Sequence, residues 1–345
     1  MIFRNYTPFP HLIFESRDEQ KRDFGVLVLR GTFEIVPGRP LKPIPQQEPI
    51  VMADQYHGEP GKSSLRMENN LAPYKPKSDI HLDAVAHAPG GQPRTAWKVS
   101  VEIGKIRKEI AVSGPRFWQK SFLRWLLSPP LPVPQIPIRY ESAYGGSWQA
   151  NGKAEVFEAN PVGAGFVGPA TRDAGQPIPV PSILPMDSLI PEMNVQMKVE
   201  GFGPIAPPWQ PRLRYAGTFD SVWERTRWPD LPEDFKFDFY NSAHPDLIYP
   251  GFLQGNESVR LTNLTPSGEL TFTLPDYLVA MLYRFEDGQL APAPMQLDTL
   301  HLDLPKMRAY LVWRGLYPLT KPMRVLEARM RQEASKLKPQ PVSKT

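Results

Sequence analysis

Hydrophobic positions along this chain recur in short runs broken by proline and glycine, and the longer runs alternate with a period of two. Phe24 to Val36 is rich in β-branched and aromatic residues and stops at Pro37-Gly38, which predicts a strand. Asp79-Ile80-His81-Leu82-Asp83-Ala84-Val85-Ala86-His87 alternates polar and apolar before Pro89-Gly90-Gly91, predicting a strand with one buried and one solvated face. Residues 95–103 and 106–112 predict a hairpin turning at Gly104-Lys105, and Arg116 to Leu127 is the next apolar stretch. Further strands are expected at Ser258–Leu264, Glu269–Leu274 and Val279–Phe285, and Thr299–Asp303 and Met307–Trp313 form a last pair. The triplet His-Leu-Asp occurs at 81–83 and again at 301–303, too short a match to establish a repeat.

Only the C-terminus carries a helical pattern. Pro322 sits near a first turn, and Met323, Leu326, Met330, Ala334 and Leu337 follow at spacings of three or four with Arg and Lys between them. The expected fold class is therefore mainly β: antiparallel sheets joined by long Pro/Gly-rich loops, with a C-terminal amphipathic helix. Four regions follow from the pattern: an N-terminal β region over 1–127, a loop-rich Pro/aromatic region over 128–257, a C-terminal β region over 258–320 packed on the first, and a basic helix and tail over 321–345.

Composition sharpens this picture. Proline contributes 42 of 345 residues, about twice the average usage, and cannot donate to a helix or sheet ladder, so long helices are disfavoured. Hydrophobic residues make up 41%, enough to build a core. Cysteine is absent, which removes disulfides and thiolate chemistry. The first residues lack a basic region followed by an apolar core, and no segment reaches 18 apolar residues, so a cytoplasmic protein without a membrane span is expected. The net charge is +4, but residues 306–345 hold ten Lys or Arg against two Glu, leaving 30 basic against 34 acidic residues over 1–305. The body is slightly acidic, which argues against nucleic acid as a partner.

Candidate chemistry is sparse. His81, Asp83 and His87 would share one strand face and could hold a metal, but the expected reading is that they are polar residues on the solvated face of a half-buried strand. His57-Gly58-Glu59 and His244-Pro245-Asp246 lack metal-ligand spacing. Glu233-Asp234 lies in a Pro-flanked loop, where adjacent acids are ordinarily solvated. Gly163-Ala164-Gly165-Phe166-Val167-Gly168 has dinucleotide-loop spacing, but Asn160-Pro161 precedes it where a strand is needed and Pro169 follows where a helix should start. No catalytic residue, metal or cofactor is assigned, and an enzyme is not expected.

Longer phrases carry a resemblance. Leu71-Ala72-Pro73-Tyr74-Lys75-Pro76-Lys77-Ser78-Asp79-Ile80, Ile138-Arg139-Tyr140-Glu141-Ser142-Ala143-Tyr144-Gly145-Gly146 and Asn160-Pro161-Val162-Gly163-Ala164-Gly165-Phe166 follow one another in order. Gly201-Phe202-Gly203-Pro204-Ile205-Ala206-Pro207-Pro208-Trp209-Gln210-Pro211-Arg212 and Ala216-Gly217-Thr218-Phe219-Asp220-Ser221-Val222-Trp223 continue the series. From about residue 10 to 315 the chain resembles the bacterial type VI secretion adaptor-chaperones built on domain of unknown function 2169. The resemblance implies a cytoplasmic adaptor that binds a PAAR-containing effector and assists its loading on the VgrG spike. A hydrolytic or carbohydrate-active enzyme with a loop-built site, and a structural component of the secretion apparatus, are the competing classes. Phe202, Pro207, Pro208, Trp209 and Arg212 are the candidate partner-binding residues, because rigid aromatic and Pro-rich loops lose little entropy on association.

Overall fold

The strand with the most continuous apolar run, Asp23–Glu34, lies inside a six-stranded sheet. Its neighbours are His11–Arg17 on one side and Arg308–Pro318 on the other, both antiparallel. Gln296–Asp303 and then Asp79–Asp83 extend the sheet, the latter pairing in parallel. The computed structural model describes residues 1–332 except 123, 151–152, 170–171, 173–174, 189–190 and 194. Both faces of the Asp23–Glu34 strand are covered: Leu27, Leu29 and Phe33 enter the main core, while Val26 and Val28 pack with Val312 on the opposite side. A strand buried on both faces needs the unbroken run Gly25-Val26-Leu27-Val28-Leu29 rather than alternation.

A five-stranded antiparallel sheet runs in the order Ile183–Leu184, Ile106–Ser113, Ala96–Ile103, Ser258–Thr262, Glu269–Thr273. The hairpin expected at Gly104-Lys105 forms there, with Gly104 at φ 55°, a left-handed conformation that glycine adopts without steric cost. A four-stranded sheet of Ile2–Asn5, Met323–Gln332, Tyr277–Phe285 and Leu290–Pro294 lies beside these. One continuous apolar cluster joins all three sheets and contains Leu29, Val101, Leu261, Met281, Trp313 and Leu326. Each such side chain contributes about 1.5–3 kcal/mol on burial. The molecule is mainly β with several antiparallel sheets.

The expected C-terminal helix is a correction. Met323–Gln332 is a strand, paired in parallel with Ile2–Asn5 and antiparallel with Tyr277–Phe285. Leu326 and Ala328 are fully buried and Met330 packs against the same core, so the alternation Leu326-Ala328-Met330 governs. Ala334 and Leu337 lie outside the described residues. Among the described residues helix is confined to short pieces, of which Ser221–Thr226 is α-helical and capped by Asp220, whose side chain accepts from the Val222 and Trp223 backbone N–H at 3.0 and 2.8 Å. No described helix is long and apolar enough to cross a membrane.

Candidate functional site

The loop expected to present a contact surface faces inward. Phe202 is 0%, Trp209 6% and Arg212 4% exposed, which excludes these three side chains from a surface contact in this conformation. Trp209 packs edge-on against Tyr140 at 5.7 Å, and the Tyr140 hydroxyl donates to the Gly203 carbonyl at 3.1 Å. The Arg212 guanidinium donates to the carbonyls of Phe239 at 2.6 Å and Ile205 at 2.8 Å and meets Glu68 at 2.6 Å. Only Pro208 of the five candidates is exposed, with Pro207 half-buried. The neighbouring phrases play a similar part: the Asn160 amide donates to the carbonyls of Tyr140 at 2.7 Å and Tyr144 at 3.0 Å, pinning two segments together.

Arg212 belongs to a buried charge network that the alternating strand 79–83 helps to build. Lys75 Nζ lies 3.0 Å from Glu68 Oε2 and 2.8 Å from Asp79 Oδ2. Asp79 also accepts from the Asn241 amide at 3.0 Å and the Ser242 backbone at 3.0 Å, while the Ser242 hydroxyl donates to Glu68 at 2.6 Å. Burial pushes the Glu68 carboxyl up, but Lys75 and Arg212 outweigh it and hold it below the ordinary carboxylate range. The polar face of strand 79–83 is thus interior, not solvated: Asp79 is 0% and His81 1% exposed. His81 and His87 stand in separate sheets, which dissolves the pairing expected from their spacing.

His81 instead meets His301. The two His-Leu-Asp triplets lie side by side in parallel register, His301 opposite His81 and Asp303 opposite Asp83, with the rings 6.1 Å apart. Burial pushes His81 down to about 4 and His301 well below its usual value, so both rings are neutral at pH 7. Neither ring nitrogen of His301 has a hydrogen-bond partner among the described residues. A cavity of about 20 Å³ adjoins the two histidines, lined also by Arg30, Lys75, Tyr310 and Arg314. That volume admits about one water-sized group and no organic substrate.

The second cluster adds Lys108 and Glu200, distant in sequence, to the local pair His244 and Asp246. Glu200, His244 and Asp246 bring their ligand atoms within 4.8 Å of one another, a set that could in principle hold a metal ion. Lys108 occupies the place such an ion would need. Its Nζ contacts Glu200 and lies 3.1 Å from both His244 Nδ1 and Asp246 Oδ2. A metal does not fit unless this ammonium leaves, so the positive charge of the cluster is the lysine's own. Burial and Lys108 together push His244 down to about 3. Lys108 and Glu200 carried no sequence signal, because one lies on the strand Ile106–Ser113 and the other in a distant loop. The remaining candidates do not converge. Glu233 is paired with Arg227 at 2.9 Å, and Asp234 accepts from Thr218 at 2.9 and 2.7 Å. His57 is half-buried and lowered by its burial and by Arg139.

With ionisable groups neutralised inside, apolar side chains are conspicuous outside. The hairpin of Phe117–Ser121 and Arg124–Leu127 carries Phe117, Leu126 and, at its turn, Phe122, whose exposure is 98%. Arg124–Leu127 is the edge of its three-stranded sheet. Phe219, Val222 and Trp228 form a second exposed group around the short helix.

No curated protein and no solved structure matches the chain. A family described as "Uncharacterized protein conserved in bacteria (DUF2169)" matches residues 20–314, most of the chain. The chain is a member of the DUF2169 family of bacterial proteins.

Proposed function

We propose that this protein is a binding protein without a catalytic step, an adaptor-chaperone that holds a PAAR-containing type VI effector in the cytoplasm and assists its loading on VgrG. The motif resemblance set out above supplies the biological role. The observation that carries a binding reading is the hairpin at 117–127, where large apolar side chains and a free strand edge point to solvent. Unpaired edges flanked by apolar residues accept an added strand from a partner, with main-chain hydrogen bonds supplying affinity. Phe122 is the natural anchor, since a fully exposed aromatic costs nothing to remove from the fold and gains most on burial. Metal and cofactor play no part in this mechanism.

Co-expression with a PAAR-containing effector of the same bacterium tests the proposal. The pair is expected to co-purify, and Phe122→Asp to release the effector while the melting temperature stays put. Failure of the wild-type chain to retain or solubilise that effector would sink the adaptor reading.

A further inference from the structure

The face of the four-stranded sheet that points away from the core is basic and apolar at once. Cross-strand register sets its rows: Ile2 beside Val325 beside Arg284 beside Leu290, and Arg4 beside Glu327 beside Leu282. These rows line a groove of about 240 Å³ together with Arg324 and Arg329. Ile2 is 57% and Leu290 49% exposed, so the floor offers aliphatic surface that nothing among the described residues covers. Four arginines face a single carboxylate, Glu327, which Arg329 holds at 2.7 Å and Arg4 approaches at 3.7 Å. Arg284 and Arg324 are exposed and have no carboxylate partner among the described residues.

We propose that this groove is a docking site for an extended acidic peptide segment of another protein, one whose carboxylates alternate with aliphatic side chains. Guanidinium groups bind carboxylates in a two-pronged geometry, and Arg284 and Arg324 are free to do so. The aliphatic floor between them accepts the intervening side chains. The chain's own C-terminal residues 333–345 are the wrong occupant, because Lys336, Lys338 and Lys344 outnumber Glu333 and the groove repels them. Nucleic acid fits poorly: the floor carries no aromatic ring for a base to stack on, the nearby Tyr6 ring lies under the Arg329 guanidinium at 5.2 Å, and Glu327 sits where phosphates would pass. The basic charge is local, since residues 1–305 carry 30 basic against 34 acidic side chains. This site is independent of the hairpin at 117–127 and of the adaptor role.

The test uses the full chain and a fluorescein-labelled peptide of alternating Glu and Leu, with Ser-Leu and Lys-Leu peptides of equal length as controls. Fluorescence anisotropy is expected to show binding of the Glu-Leu peptide alone, weakened by added salt. Arg284→Glu combined with Arg324→Glu is expected to reduce affinity about tenfold or more, as loss of two charge-assisted contacts implies. Both side chains are exposed and unpaired, so an unchanged melting temperature certifies that the variant is folded. Equal binding of the Ser-Leu peptide, unchanged affinity in the folded double variant, tighter binding of a single-stranded oligonucleotide, or occupation of the face by self-association in sedimentation would each overturn the proposal.

Discussion

Replacing Lys75 by Met tests whether the buried network holds the fold together. The ammonium is 2% exposed and serves two carboxylates, Glu68 at 3.0 Å and Asp79 at 2.8 Å. Asp79 keeps its bonds from Asn241 and the Ser242 backbone, but Glu68 is left with Arg212 and the Ser242 hydroxyl. Removing one partner of a buried pair typically costs about 3–5 kcal/mol. At about 2.1 cal/mol/K per residue, 345 residues give an unfolding entropy of ~0.7 kcal/mol/K, so the loss corresponds to ~4–7 °C in Tm.

Its pH dependence has a defined sign. Glu68 is held below its unfolded value of about 4.3, so its contribution is present above that pH and lost as pH falls through the folded value. Without Lys75, burial meets less opposition and the Glu68 carboxyl rises. The deficit of Lys75→Met is therefore full at neutral pH and shrinks as pH falls below that unfolded value, where the wild-type contribution itself is being lost. Urea unfolding followed by tryptophan fluorescence at pH 7.5 and at about pH 3.5 measures both quantities. A loss below about 1 kcal/mol, or a loss equal at the two pH values, would refute the assignment of Lys75 as the counter-ion that keeps Glu68 charged.

Other substitutions probe separate parts of the structure. Trp209→Ala is expected to cost about 3–5 kcal/mol in chemical denaturation, as a truncated core aromatic does, and a surface role would leave stability unchanged. Lys108→Met is expected to raise the His244 pKa from its present value of about 3, because the ammonium that repels the imidazolium is gone, and an NMR titration reads the shift directly. Gly145→Ala is expected to reduce the yield of folded protein: a Cβ there would lie 2.1 Å from the Asn160 carbonyl, at a backbone φ of 149°. Normal yield and an unaltered melting temperature would show that this crossing can relax.

The strands between residues 24 and 36, 95 and 112, and 258 and 313 were legible because β-branched runs end at Pro or Gly and their turns are local. Other features depended on residues distant in sequence. Met323, Leu326 and Met330 satisfy a helical period, while Leu326, Ala328 and Met330 satisfy a strand period. The choice is made by Ile2–Asn5 and Tyr277–Phe285, which offer edges on either side. Similarly, the alternation Asp79-Ile80-His81-Leu82-Asp83 is what a half-solvated strand requires. What burial of its polar face needs is a balanced set of charges, and these come from outside the strand: the cations Lys75 and Arg212 with the second carboxylate Glu68. Trp209 and Arg212 have the residue types of an interface anchor, and only the position of Glu68 and Tyr140 shows that they point inward.

The central strand pairing also sets a clock for synthesis. Asp23–Glu34 emerges early, yet its long partner Arg308–Pro318 follows only after about 270 further residues. At about 5–20 residues per second, ribosomes take ~14–54 s to cover that distance. Throughout that interval Val26, Leu27, Val28 and Leu29 lack the strand that covers one of their flanks. A nascent chain exposing such an edge is a target for trigger-type holding chaperones and for aggregation. Slowing translation between these two strands should therefore lower the yield of native protein, whereas the same pause placed before residue 23, when neither strand has been made, should not.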